Sequence, residues 1–265
     1  GGTITINDPL QIGTGTVKLQ TGADSNNTAT AGKVVVVSTI NSTSGETRQL
    51  DIVTGGGAVD LGGVIGGVDA LSALNINAEG GTGNIDVTNI GDGSPAKGVS
   101  GAVVLGNANT GTLDLDGTNY DVGGITFGSN TLTFSGSTGN FETAGDIRFL
   151  GNVTINGDMT FDSGGGDITF DGTIVGTDGD ETLVLDDGGS TGTITLSGNV
   201  GASDFIKSLT IIGTDGINLG STIKLSDAAG GSIDIDGNVT LTANTTLNSS
   251  ANNGSVDISG TINNQ

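Results

Sequence analysis

The chain has 265 residues with 51 Gly, 2 Pro, no Cys and no His, and its aromatic content is 3%. Without thiol or imidazole it has no disulfide framework, no zinc–cysteine site and no Ser-His or Cys-His catalytic unit. Its 29 acidic residues against 7 basic ones give a formal charge of -22, which repels nucleic acid and anionic membranes.

Taken in chain order, the sequence opens at Gly1-Gly2-Thr3-Ile4 already in strand pattern, without the basic region and apolar core of a signal peptide. The expectation is a removed leader or an internal piece of a longer protein. From there one phrase recurs: Gly, any residue, then aliphatic residues at alternate positions, often followed by another Gly. Loose copies start at Gly32 (GKVVVVSTI), Gly83 (GNIDVTNIG) and Gly111 (GTLDLDGTN), with GAVDLGGVI from Gly57 among them. Clear copies follow as GDIRFLGNV from Gly145, GDITFDGTI from Gly166, GTITLSGNV from Gly192, GSIDIDGNV from Gly231 and GSVDISGTI from Gly254. A second element precedes many of them, as in LDIVTGGG from Leu50, LNINAEGG from Leu74, LVLDDGGS from Leu183 and IKLSDAAGG from Ile223. Loops are expected at 42–48 and at 91–100, which contains Pro95. The chain closes at Gly260-Thr261-Ile262 in mid-repeat, so the solenoid is expected to continue covalently or to stack end to end on another copy.

Alternation with period two is the strand signal, and the copies are spaced 21 to 39 residues apart. A unit of that length with about three short strands is one coil of a β-solenoid. The predicted fold is therefore all-β: a single right-handed, single-stranded parallel β-helix over residues 1–265. Each coil stacks on the last at about 4.8 Å, giving a rod on the order of 45 to 55 Å for this chain. The steps of 34 and 39 residues then hold an extra coil portion or a protruding loop. Corners require tight bends or positive φ, which explains the glycines, and Pro would delete a ladder hydrogen bond. The predicted inward residues are Val59, Leu61, Ile85, Val87, Leu113, Leu115, Ile147, Phe149, Ile168, Phe170, Ile194, Leu196, Ile233, Ile235, Val256 and Ile258. No run reaches roughly 18 apolar residues, so no membrane-spanning helix is predicted.

The rhythm of LVLDDGGSTGTITLSGNV from Leu183 resembles the repeat regions of filamentous-haemagglutinin-type adhesins and autotransporter passengers. The resemblance covers most of the chain, best from about Gly145. It implies an exported bacterial β-helix at the cell surface or outside the cell, serving attachment, biofilm matrix or filament formation. It brings no catalytic residues with it. The irregular spacing and acidic outward face depart from the pattern and leave the exact family open.

Four acids crowd into one stretch: Asp178, Asp180, Asp186 and Asp187. Hard cations such as calcium take several oxygens at one point, so calcium is the one cofactor these residues point to. The regular nonapeptide of a calcium β-roll is absent, and the plainer expectation is solvated outward residues. The pairs Asp114/Asp116 and Asp234/Asp236 likewise put carboxylates two apart on one side of a strand. Parallel β-helices also host polysaccharide hydrolases and lyases, and Asp186-Asp187 is an adjacent pair. With no His and only 7 basic residues, a non-catalytic chain is the expectation. A polysaccharide-degrading enzyme and a calcium-stabilised surface-layer-like protein are the alternatives. Thr3-Ile4-Thr5, Thr193-Ile194-Thr195 and Thr240-Leu241-Thr242 raise an ice-binding face, but other copies carry Asp or Arg there and break the rank. Tyr120 and the Phe residues from Phe127 to Phe170 are expected as a stacked core column. The expected partners are further copies, laterally or end to end, and a host surface or glycan, with neither nucleic acid nor membrane insertion.

Overall fold

A computed structural model describes residues 2–13, 15–22, 32–46, 48–94, 96–129, 131–136, 138–189, 191–225, 231–249 and 254–265. Thr47 and Pro95 of the two expected loops lie outside the described residues, as do Ser190 of the Leu183 phrase and 226–230 of the Ile223 phrase. Among the described residues the chain is all-β without helix, its parallel strands stacked as a β-solenoid of about nine turns. No helix among the described residues is long and apolar enough to cross a membrane. The chain divides into two compact units, Gly1–Thr133 and Phe134–Gln265.

In the first unit one sheet stacks Ile4–Ile6, Val34–Val36, Val59–Leu61, Ile85–Val87 and Thr112–Leu115 in parallel. The register lines up Ile4, Val34, Val59, Ile85 and Leu113 in one column and Ile6, Val36, Leu61, Val87 and Leu115 in the next. A second sheet stacks Thr16–Gln20, Gln49–Val53, Ala73–Ile76, Val99–Leu105 and Asn119–Phe127, with Leu19, Ile52, Ile76, Leu105 and Phe127 in one column. Single bridges link Ile40, Ile65, Ile90 and Tyr120 at the third corner. Alternation places every second side chain inside, where Val59, Leu61, Ile85, Val87, Leu113 and Leu115 are buried.

The second unit repeats the plan. Ile147, Ile168, Ile194, Ile217, Val239 and Ile262 form one column across successive parallel strands. Phe141, Phe161, Leu185, Ile211, Ile235 and Ile258 form another. Rings fill the early coils: Phe149 and Phe170 stack with centroids 4.3 Å apart, and Phe161 meets Phe149 edge-on at 5.2 Å. Stacked and edge-on aromatic pairs add to the apolar burial of each ring. The aromatics are thus buried in the core as expected, but in several columns rather than one: Phe141 and Phe161 share a column, Phe149 and Phe170 share another, and Phe127 and Tyr120 belong to two more in the first unit.

Two features of the pattern depart from the repeat phrases. The 39-residue step from Gly192 to Gly231 contains the strand Ser208–Leu219, which turns a corner at a bulge between Gly213 and Ile217 and so serves two sheets. As a result, Ile233 and Ile235 of the Gly231 phrase pair with Leu209 and Ile211, and through them with Leu183 and Leu185. They do not stack on Ile194 and Leu196. The phrase marks an inward strand without marking which sheet it joins. Val256 is 43% exposed and Ile258 is half-buried. Ser255–Ile258 pairs only with Ser232–Leu241 among the described residues, so its inward side chains are covered from one side.

Close stacking fixes several glycines. A Cβ on Gly83 would overlap the carbonyl oxygen of Gly57 one coil back, and Gly66 sits at φ 69° beside the Gly98 carbonyl.

Ile194 has no exposed surface, so Ile194→Asp places an uncompensated charge in the stack and should cost about 3–5 kcal/mol. Val256→Asp, at a half-open site, should cost about 1 kcal/mol or less. Thermal or urea unfolding of the two variants checks the order, and an Ile194→Asp protein that melts like the wild type would refute the inward placement.

Candidate functional site

The strand register that stacks aliphatics inside also stacks what lies outside. Asp60, Asp86 and Asp114 are consecutive register partners on one sheet of the first unit, forming a ladder of carboxylates. Neighbouring coils lie about 4.8 Å apart, so like charges on one ladder repel even at the surface. The Asp86 carboxyl is pushed up to about 6, first by partial burial and then by the negative charges of Asp116, Asp114 and Asp60. Asp114 Oδ1 is shut off from solvent and has no hydrogen-bond partner among the described residues. Below the ladder Tyr120 is buried, its hydroxyl oxygen accepting the Gly117 N–H at 2.9 Å, and burial first of all pushes its phenol up. In the second unit Glu142, Asp162 and Asp186 form another such ladder, and Asp234 pairs with Asp257.

The four acids singled out in the sequence separate into different settings. Asp178 and Asp180 are exposed at a turn, and together with the buried Glu181 they bring carboxylate oxygens within 4.8 Å of one another. Glu181 is a turn clamp. Its Oε1 accepts from the Thr177 N–H and from the Thr177 hydroxyl (2.8 Å) and Asp178 N–H (3.1 Å), and its Oε2 from the Gly179 N–H (3.0 Å). Burial alone would raise its pKa, but the donors from Thr177 and Asp178 outweigh it and hold the carboxyl below its ordinary range. With both Glu181 oxygens engaged, Asp178 and Asp180 are what the turn offers a cation. The Asp178 carboxyl is raised, chiefly by the hydrogen bond it shares with the Asp180 side chain.

Asp186 and Asp187 are used elsewhere. Asp186 Oδ1 accepts from the Gly188 N–H at 2.8 Å. Asp187 is fully buried and binds the next coil, taking the Thr214 N–H at 2.6 Å and the Thr214 hydroxyl at 3.0 Å. The adjacent pair therefore stands as one turn-forming acid and one coil-to-coil staple.

That staple belongs to a wider set that the sequence reading missed. Side-chain oxygens at the corners accept the backbone N–H that opens a strand on the following coil. Asp158 takes Thr182 N–H at 2.8 Å, Asp167 takes Thr193 at 2.8 Å, Asn152 takes Thr173 at 3.0 Å and Asn199 takes Thr222 at 2.9 Å. In the first unit Asn89 accepts from both Thr118 (2.9 Å) and Asn119 (3.0 Å). The signal that marks them is an Asn or Asp one coil ahead of a Thr-aliphatic strand start.

A surface hollow of about 290 Å³ in the first unit is lined by Lys18, Asp51, Asn75, Asn77 and Glu79. Asp51 Oδ1 accepts from the side chains of Gln49 (2.8 Å) and Asn75 (2.9 Å), so this carboxylate is positioned from two coils.

Comparison of the chain with protein-family models, with curated proteins and with solved structures finds no match.

The folded chain holds the Asp86 proton up to about pH 6, whereas an ordinary carboxyl at 3.8 has released it. Stability from this group is therefore fully present below pH ~4 and lost as pH rises through ~6. Asp86→Asn should remove that slope and raise stability at pH 7 by about 1 kcal/mol or less, because the residue is exposed and solvent screens it. Urea unfolding at pH 4, 5, 6 and 7 checks this. An unchanged slope in the variant would show that Asp86 is not the titrating group.

Proposed function

We propose that this chain is a non-catalytic structural and adhesive β-solenoid segment of a bacterial surface or secreted fibre. It works outside the cell, in attachment or in matrix and filament formation, and associates with further copies. What carries the reading is the employment of its polar groups. Asp158, Asp167, Asp187, Glu181, Asn89, Asn152 and Asn199 are bound into corners and coil-to-coil links. Such residues strengthen a stack, and each coil adds one more parallel rung to the hydrogen-bond ladder. With a net charge of -22, copies repel one another at low salt, so lateral or end-to-end association should increase with ionic strength.

The polysaccharide-enzyme alternative has its best location in the hollow with Lys18, Asp51 and Glu79. The calcium-stabilised alternative has Asp178 and Asp180.

Three measurements on the purified chain separate these readings. Electron microscopy across a salt series should show filaments or lateral bundles that grow with salt. A screen on acidic and neutral polysaccharides should give no product, whereas turnover that disappears in Asp51→Asn would replace the proposal with the enzyme. A calcium-dependent rise in melting temperature, abolished in Asp178→Asn/Asp180→Asn, would assign a structural cation to that turn.

A further inference from the structure

The two long sheets of the second unit differ in charge. On the sheet containing Thr138–Thr143, Asp158–Asp162 and Thr182–Asp186, outward positions include the ladder Glu142–Asp162–Asp186 and the pair Asp234–Asp257. On the sheet containing Ile168–Phe170, Ile194–Leu196, Ile217–Leu219, Val239–Leu241 and Ile262–Asn264, the central outward column is Thr169, Thr195, Asn218, Thr240 and Asn263. The column begins next to Arg148, whose guanidinium is paired with Asp171 at 3.0 Å. From Thr193 onward the columns on either side carry only Gly, Ser, Thr, Asn and Gln. In a chain of net charge -22, a sheet face spanning these coils without a charge in its three columns is a distinct surface.

The column bears out a broken Thr rank, interrupted at Arg148, Asn218 and Asn263, and shows how the Thr-x-Thr triplets are phased. Thr195 and Thr240 share one column with Asn218 between them, because Thr195 pairs with Asn218 and Asn218 with Thr240. Thr193-Ile194-Thr195 and Thr240-Leu241-Thr242 are thus offset by two residues on the same sheet. The break in the Thr rank is filled by an amide, which like a hydroxyl both donates and accepts, with Asn218 Nδ2 donating to Thr195 Oγ1 at 3.3 Å. The hydroxyls of Thr169 and Thr240 make no hydrogen bond to another described residue. On the acidic sheet, by contrast, Asp162 and Asp186 are held by Gly164 and Gly188, and Asp236 accepts from Ser259.

We propose that this uncharged Thr/Asn face is the contact face of the segment and that its occupant is a neutral, linear polysaccharide. The inference rests on the adhesive reading above. A neutral glycan offers hydroxyls that donate and accept, as Thr and Asn do, and brings no charge to meet the surrounding acids. Neutrality is the electrostatic complement of this face, since an anionic glycan would be repelled by the chain and a cationic one would favour the acidic sheet. Size separates the glycan from a second copy of the chain. The four strands from Ile194–Leu196 onward, about 4.8 Å apart and read across columns about 6.7 Å apart, give roughly 190 Å². That is far below the roughly 800 Å² per partner of a stable protein interface, but long and narrow enough for a short run of sugar rings. The face has no aromatic ring to stack on, so each coil contributes only weak hydrogen bonding. Retention then depends on repetition along an insoluble or polymeric ligand.

The test uses the full chain and microcrystalline cellulose, with amorphous cellulose and laminarin as further neutral probes. Wild type should be retained on at least one of them, with retention insensitive to moderate salt. Thr195→Glu/Thr240→Glu charges the face and should reduce retention at least tenfold, while Thr210→Glu on the acidic sheet leaves it unchanged. Melting curves confirm that each variant is folded. If the double Glu variant is not, Thr195→Ala/Thr240→Ala takes its place and should reduce retention several-fold. The proposal is overturned if no neutral polysaccharide retains the wild type, or if the double variant binds as well as the wild type does. It is also overturned if the substitutions abolish concentration-dependent self-association instead, which would make the face a contact between copies. Adhesion to another surface that survives the double variant would leave the adhesive reading standing and remove only this face from it.

Discussion

Successive coils here exchange backbone hydrogen bonds, each strand both donating to and accepting from its neighbours, in parallel and in register. That constraint stacks each residue on its counterpart at about 4.8 Å, with consequences that differ between inside and outside. Inside, like on like is favourable. Ile147, Ile168, Ile194 and Ile217 bury one another, and Phe149 lies flat on Phe170. Outside, like on like is costly when the residues are charged, as Asp60, Asp86 and Asp114 show. The same geometry thus produces the core and the electrostatic load.

The chain offsets part of that load by giving acids a structural task. A carboxylate that accepts a backbone N–H is stabilised as an anion and satisfies a donor that a corner would otherwise leave open. Asp158, Asp167, Asp186, Asp187 and Glu181 all do this. On the ladder of Asp60, Asp86 and Asp114 the repulsion remains, and the Asp86 carboxyl is pushed up to about 6 by partial burial and its acidic neighbours. An acidic composition is therefore compatible with a tight stack in part because some carboxylates, those of Asp158, Asp167 and Asp187, bond the next coil.

Much of this was legible in the sequence because the two periods involved are simple. Alternation within a strand and recurrence of the Gly-aliphatic phrase pointed to the solenoid and to the inward residues named from Val59 to Ile235, each of which is buried, while other core residues such as Leu74, Leu185 and Leu209 were not picked out. Two things were hidden. The phrase around Gly231 is written like the one around Gly192 but joins a different sheet, because an aliphatic-x-aliphatic triplet carries no mark of which corner precedes it. The strand Ser208–Leu219 bends at Gly213–Gly216, where the exposed Thr214 and Asp215 interrupt the alternation, but nothing in that Gly-Thr-Asp-Gly run says that the strand changes partner there. The acids were hidden for another reason. Asp186 and Asp187 are adjacent in sequence, yet one faces a turn and the other is a buried staple to Thr214, a partner 27 residues away. Nothing local distinguishes them. The ladder Asp60–Asp86–Asp114 emerges only when three separated phrases are placed in register.

Stacking also determines where specificity can reside. Inward positions must be apolar and of matched size, and corner positions must be Gly or a residue that reaches the next coil, as Asn89 and Asn152 do. Only outward strand positions are free to vary, and a choice made there is repeated along the stack by register. A face built this way repeats its contacts from coil to coil. It has a regular array, and an array discriminates by matching spacing, hydrogen-bonding capacity and charge over many weak contacts. The second unit uses that freedom in two opposite ways, acidic on the sheet of Asp162 and Asp186 and uncharged on the sheet of Thr195 and Thr240. Since the solenoid core places the same demand on both sheets, the difference between them is one the core does not require.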